Sequence, residues 1–138
     1  PHWLSNMVMA IKSRDRAGIV GPVSNKAITD QELPKSDMLT EARYISGFCM
    51  MFKREVHEQI GGFDEQFTGG CFEDRDYCER ARARGWACYV YGGTHVHHFW
   101  RGFRRTRSDI DNKTRENESR FFAKHPELKS PDKEALRL

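Results

Sequence analysis

The chain has 138 residues, close to the roughly 150-residue size of one domain, so length alone predicts a single core. Its 23 basic and 20 acidic side chains leave a net charge of +3, too balanced for a protein that coats nucleic acid. No apolar run approaches the ~20 residues of a membrane span, and the opening PHWLSNMVMA lacks the basic start and long apolar stretch of a secretory leader.

In chain order, residues 3–14 carry Trp3, Leu4, Met7, Val8 and Ile11 at helical spacing and predict an amphipathic helix. Ala17 to Val20 reads as a short strand running into a turn at Gly21-Pro22, and residues 21–40 read as one long loop. Tyr44 to Phe52 (YISGFCMMF) is the most apolar stretch and predicts a central buried strand, with Gly47 marking a close backbone approach. Lys53 to Ile60 is a short helix stopped by Gly61-Gly62. After the loop GGFDEQFTGGC comes a helix from Phe72 to Arg84, ended by Gly85. Trp86–Tyr91 and Thr94–Phe99 read as two further strands. An arginine-dense loop then leads to a charged helix over 108–124, which Pro126 ends, and a polar tail from Pro131. Helices alternating with strands give an α/β class.

Four cysteines (Cys49, Cys71, Cys78, Cys88) form no CxxC pair. Cys49 and Cys88 sit in apolar runs and read as buried free thiols, which suits a reducing compartment. Cys71, Cys78, His95 and His97 do not match a common structural zinc spacing.

Three groups carry candidate chemistry. Glu73-Asp74 heads a helix on which Asp74, Tyr77, Cys78 and Ala81 share one face. A carboxylate at the mouth of an apolar face is desolvated and gains proton affinity, as a general base requires. The competing reading is macrodipole stabilisation of first-turn acids, with Asp76–Arg80 an ordinary i, i+4 pair. His95, His97 and His98 fall within four residues, and imidazole is a common metal ligand. The loop RGFRRTR at 101–107 has four guanidinium groups and no acid, matching phosphate oxygens or forming a solvated basic face.

GIVGPVSN (18–25), SGFCMMFKREV (46–56), IGGFDEQF (60–67), FEDRDYCERARARG (72–85), VHHF (96–99) and NESRFFAKHPEL (117–128) occur in that order. Together they resemble the C-terminal half of inverting, family 2 glycosyltransferases of the GT-A fold, in particular bacterial enzymes that build O-antigen, capsule or other cell-envelope glycans. The resemblance implies a partial GT-A (Rossmann-like) α/β fold over residues 1–128, followed by a tail at 129–138. It implies that Asp74 is the base that deprotonates an acceptor hydroxyl, with Glu73 orienting the acceptor or supporting the base. A histidine after the last strand would help hold a divalent metal (Mn or Mg) on the donor diphosphate. His97 and His98 both fit that slot, with His97 the first choice, and Trp100, Arg101 and Arg104 fall where a loop covers the diphosphate. The partners implied are a nucleotide-diphospho-sugar and a glycan acceptor, with no nucleic acid. The setting implied is cytoplasmic, at the inner face of the membrane.

No DxD-like acidic triplet precedes the first helix, and the resemblance places that motif in an N-terminal nucleotide-binding half. The chain is therefore expected to be the acceptor-side half of a domain of about 250 residues, binding nucleotide sugar weakly and not turning it over alone. An orphaned half-sheet would expose an apolar edge and self-associate. The alternative is a non-catalytic binding or assembly module that keeps the fold without the donor site.

Overall fold

The structure, a computed structural model, describes residues 2–27, 30–99 and 110–128. Its elements are α1 (Trp3–Lys12), β1 (Ala17–Ser24), a 3₁₀ turn (Asp30–Glu32), β2 (Leu39–Ala42), β3 (Met51–Phe52), α2 (Arg54–Ile60), α3 (Glu73–Ala83), β4 (Ala87–Val96), α4 (Ile110–Lys124) and a closing 3₁₀ turn (Pro126–Leu128). The class is α/β, as expected, built on a four-stranded mixed sheet of order β2-β4-β1-β3. Strands β1 and β4 run parallel at its centre, and β2 and β3 pair antiparallel at the edges.

Every residue of β1 is buried, as befits a strand covered on both faces. On one face Met7, Ala10 and Ile11 of α1 pack with Ala17 and Val20, and Tyr89 and Tyr91 border them. On the other, Ile19, Val23, Cys88 and Val90 meet Val56 of α2, Ile45, and Tyr77, Cys78 and Ala81 of α3. The helical spacing at 3–14 is correct for α1, but Trp3 and Leu4, counted with its apolar face, are exposed. All four cysteines are free, and Cys78 and Cys88 are buried.

Three strand expectations change. β1 does not stop at Gly21-Pro22 but continues to Ser24. Beyond Val20 it has β4 as its partner and no longer β3, so Pro22 lies where the sheet has opened to an edge and a missing N–H is tolerated. Its carbonyl accepts from Gln31 Nε2 at 2.9 Å. Tyr44–Phe52 is not a central strand; its ordered ladder is the two residues of β3 at the sheet edge. The amides before β3 are taken by side chains instead: Ile45 N–H donates to Cys78 Sγ, Ser46 N–H to Gln31 Oε1 and Gly47 N–H to Asp74 Oδ2. Finally, the two strands read at 86–99 are one strand, β4, whose register against β1 jumps from Pro22–Tyr91 to Val23–His95. The glycine pair Gly92-Gly93 in that bulge reads locally as a break.

Gly21 shows how tightly the loop docks. A Cβ there would collide with Ile45 Cγ2 and lie 2.7 Å from Gln31 Nε2. Gly21→Ala is expected to cost about 1–3 kcal/mol, the scale of overpacking, as a lowered denaturation midpoint at unchanged m-value.

Candidate active site

The carboxylate pair is delivered by an unusual turn. Gly69 (φ 84°), Gly70 (φ 73°) and Phe72 (φ 74°) all lie in the left-handed region, which costs a bulky residue such as Phe72 conformational energy. The chain leaves that turn directly into α3, whose first turn holds Glu73, Asp74 and Asp76 at its positive end.

Asp74 is fixed at both oxygens. Arg75 N–H donates to Oδ1 at 2.8 Å and Gly47 N–H to Oδ2 at 2.9 Å. Each oxygen keeps further acceptor capacity for an incoming hydroxyl. Gly47 is exposed, and a Cβ on it would sit 3.7 Å from Asp74 Oδ2 and 3.9 Å from Glu73 Oε1. The absence of a side chain at Gly47 therefore keeps the approach to both carboxyls clear. Asp74 stands at the mouth of the buried face made by Tyr77, Cys78 and Ala81, as the spacing implies.

Beside Asp74, Glu73 is the more enclosed carboxyl. Burial pushes the Glu73 carboxyl above its ordinary value, and the Asp74 charge adds to the effect. Glu73 Oε2 is buried without a hydrogen-bond partner among the described residues. Next to it, Arg75 donates to the Tyr44 hydroxyl at 2.6 Å and lies over the rings of Tyr44 and Phe72 at 4.5 and 5.0 Å, so this cation is held in place by aromatic faces.

The histidines separate clearly. His97 is exposed, and its ring meets Phe99 edge-on at 4.4 Å. His98 is held from three sides. Its backbone N–H donates to Asn25 Oδ1 at 2.7 Å, its ring stacks on Phe48 at 4.4 Å, and Nδ1 is 3.0 Å from the Lys26 carbonyl. A carbonyl only accepts, so Nδ1 carries the proton and the lone pair of the neutral ring is on Nε2. Phe48 follows Gly47 in the chain, so one short loop touches Asp74 with its amide and His98 with the next ring.

Cys78 is fully buried against the Ile45 backbone, and Cys71 Sγ contacts Thr114 Oγ1 at 3.4 Å. Among the described residues no three His, Cys, Asp or Glu side chains converge as a metal set. Trp100, Arg101 and Arg104 lie outside the described residues.

Sequence spacing missed the role of Asp76. It is fully buried and bonded to Arg80 Nε at 2.8 Å, Lys124 Nζ at 2.9 Å and His125 Nε2 at 2.8 Å. Arg80 also donates to the carbonyls of Ile60 and Gly62, and Lys124 to Asp64 Oδ2 at 2.7 Å. Burial would push the Asp76 carboxyl up, but the bonds from Lys124, His125 and Arg80 outweigh it and hold it below the ordinary value. The only sequence signal was the Arg80 spacing.

Residues 29–101, just over half of the chain, match the family described as the N-terminal domain of galactosyltransferase. No curated protein matches the chain. The matched segment contains Gly47, Glu73, Asp74 and His98. The chain thus belongs to this galactosyltransferase-domain family and is a glycosyltransferase domain.

Proposed function

We propose that this domain supplies the acceptor side and the catalytic base of an inverting, metal-dependent glycosyltransferase resembling the family 2, GT-A enzymes. A sugar passes from a nucleotide diphosphate to an acceptor hydroxyl, and a cell-envelope glycan is the acceptor class that the resemblance favours. The attacking oxygen displaces the nucleoside diphosphate from the opposite face of the anomeric carbon. Asp74 takes the proton from the hydroxyl onto one of the carboxylate lone pairs that Gly47 and Arg75 leave free. Glu73, with its raised proton affinity, holds the same hydroxyl group by hydrogen bonding.

A divalent metal, when bound, would offset the charge of the departing diphosphate. The donor chemistry of His98 fits one ligand of such an ion, because its Nδ1–H is tied to a backbone carbonyl and Nε2 is left to coordinate. We assign that role to His98 and not to His97, the first choice by resemblance. The observation that carries the reading is the loop at Gly47-Phe48, which joins a positioned carboxylate to a positioned imidazole.

Calorimetric titration with Mn²⁺ and a nucleoside diphosphate tests it. His98→Ala is expected to weaken metal affinity by at least the roughly 10–100-fold that loss of a supporting partner costs, whereas His97→Ala leaves it near the parent value. Equal losses, or a loss in His97→Ala alone, would reverse the assignment. If the unaltered chain does not bind and Asp74→Asn changes nothing, the domain is a non-catalytic module.

A further inference from the structure

Helix α4 lies outside the residues that match the family model, yet one of its faces follows the strained turn before Glu73 residue by residue. Thr114 Oγ1 meets Cys71 Sγ at 3.4 Å, Asn117 Nδ2 donates to the Thr68 carbonyl at 2.7 Å and the Cys71 carbonyl at 2.8 Å, and the Phe121 ring packs on Phe72 at 5.4 Å. Spacings of three and four residues put Thr114, Asn117 and Phe121 on one side of the helix.

Asn117 is the unusual member. It is fully buried, and its Oδ1 accepts from Arg120 Nη1 at 3.0 Å, so both ends of its amide are used. A buried contact needed only for packing would be filled as well by an apolar side chain, without desolvating an amide. Its two bonds instead clamp the carbonyls on either side of Gly69-Gly70, where the left-handed dihedrals begin. Backbone in such regions persists only where its surroundings over-determine it.

We infer that Asn117 is a positioning residue for the Glu73–Asp74 carboxylates, acting through the turn at 68–72. The inference rests on the reading of that pair as catalytic. Asn117 does not touch the reacting groups; it fixes where α3 begins, and hence whether Asp74 Oδ2 meets the Gly47 amide and how deeply Glu73 is buried.

Nuclear magnetic resonance on the 138-residue chain tests it without any transfer assay. In Asn117→Ala the Gly47 amide is expected to exchange about fivefold faster, the scale of one weakened hydrogen bond. The Glu73 carboxyl carbon should titrate at lower pH as the turn loosens and admits water. Thr114→Val, which removes the hydroxyl that meets Cys71 Sγ, is expected to move both signals in the same direction by less, and it decides the question if Asn117→Ala does not fold. Met7→Ala truncates the core on the opposite face of the sheet and is expected to leave both signals in place. Unchanged signals in a folded Asn117→Ala, unchanged signals in Thr114→Val where Asn117→Ala is unfolded, or equal changes in Met7→Ala, would each overturn the inference. Failure of the functional reading would show separately, as sugar transfer insensitive to Asp74→Asn while these signals still respond to Asn117.

Discussion

Asp74→Asn in the enzyme that carries this domain is expected to lower kcat for sugar transfer by roughly 10²–10⁴-fold, the scale of losing a general base, while the KM for the nucleotide sugar changes little. The substitution keeps the shape of the side chain and one acceptor oxygen. It cannot take a proton, and its new NH₂ must face one of the two backbone N–H groups that now donate to Asp74. A fall in kcat with binding preserved is the signature of an interaction made in the transition state. Full activity in Asp74→Asn would place the base elsewhere, and Glu73, whose proton affinity burial already raises, would be the next residue to replace.

What the sequence disclosed about this site was local. The spacing Asp74, Tyr77, Cys78, Ala81 describes one helix turn after another, and in the structure the last three are buried while Asp74 stands at the mouth. Gly47 was legible as a place of close approach, and it does approach Asp74. The identity of its neighbour was not legible, since 27 residues separate the two. His98 could not be distinguished from His97 by spacing, because the difference lies in Asn25, which holds the His98 backbone, and in Lys26 and Phe48, which hold its ring, all from two other loops.

The same limit explains the errors in the fold. An apolar run such as Tyr44–Phe52 says that side chains are buried, but not that backbone amides go to a ladder. Here Ile45, Ser46 and Gly47 spend theirs on Cys78, Gln31 and Asp74. The bonds of Ile45 and Gly47 tie the loop to α3, that of Ser46 ties it to the 3₁₀ turn at Asp30–Glu32, and together they place the site beside the sheet. Conversely, Gly92-Gly93 looked like a break, but a parallel partner on β1 carries the strand through the bulge. Local composition marked these segments as apolar, yet within Tyr44–Phe52 only Ile45 is buried, and Gly47 and Phe52 are exposed. Partners distant in sequence decided their shape.

Asp76 is the strongest case of that kind, and Asp76→Ala is expected to destabilise the fold by about 3–5 kcal/mol, the cost of stranding the partners of a buried charge. Arg80, Lys124 and His125 would then converge on an empty position, and the tie between α3 and the end of α4 would be lost. The sign of the pH dependence follows from direction. Hydrogen bonds hold the Asp76 carboxyl below its ordinary value against burial, so its contribution is fully present above the unfolded aspartate pKa of about 3.9 and is lost as pH falls through the folded value. Lys124 behaves oppositely: burial lowers its pKa, but the bonds to Asp64 and Asp76 raise it overall. That contribution is present below the unfolded lysine pKa of about 10.4 and fades as pH rises through the folded one. Denaturant midpoints measured from pH 2 to 7 should therefore fall toward the acid end for the parent chain. Asp76→Ala should show a shallower slope, having no carboxylate left to protonate. Lys124→Met, which removes one of the three partners and leaves Arg80 and His125 in place, should fall between the two. A parent-like stability and acid slope in Asp76→Ala would show that α4 is held by its apolar face alone.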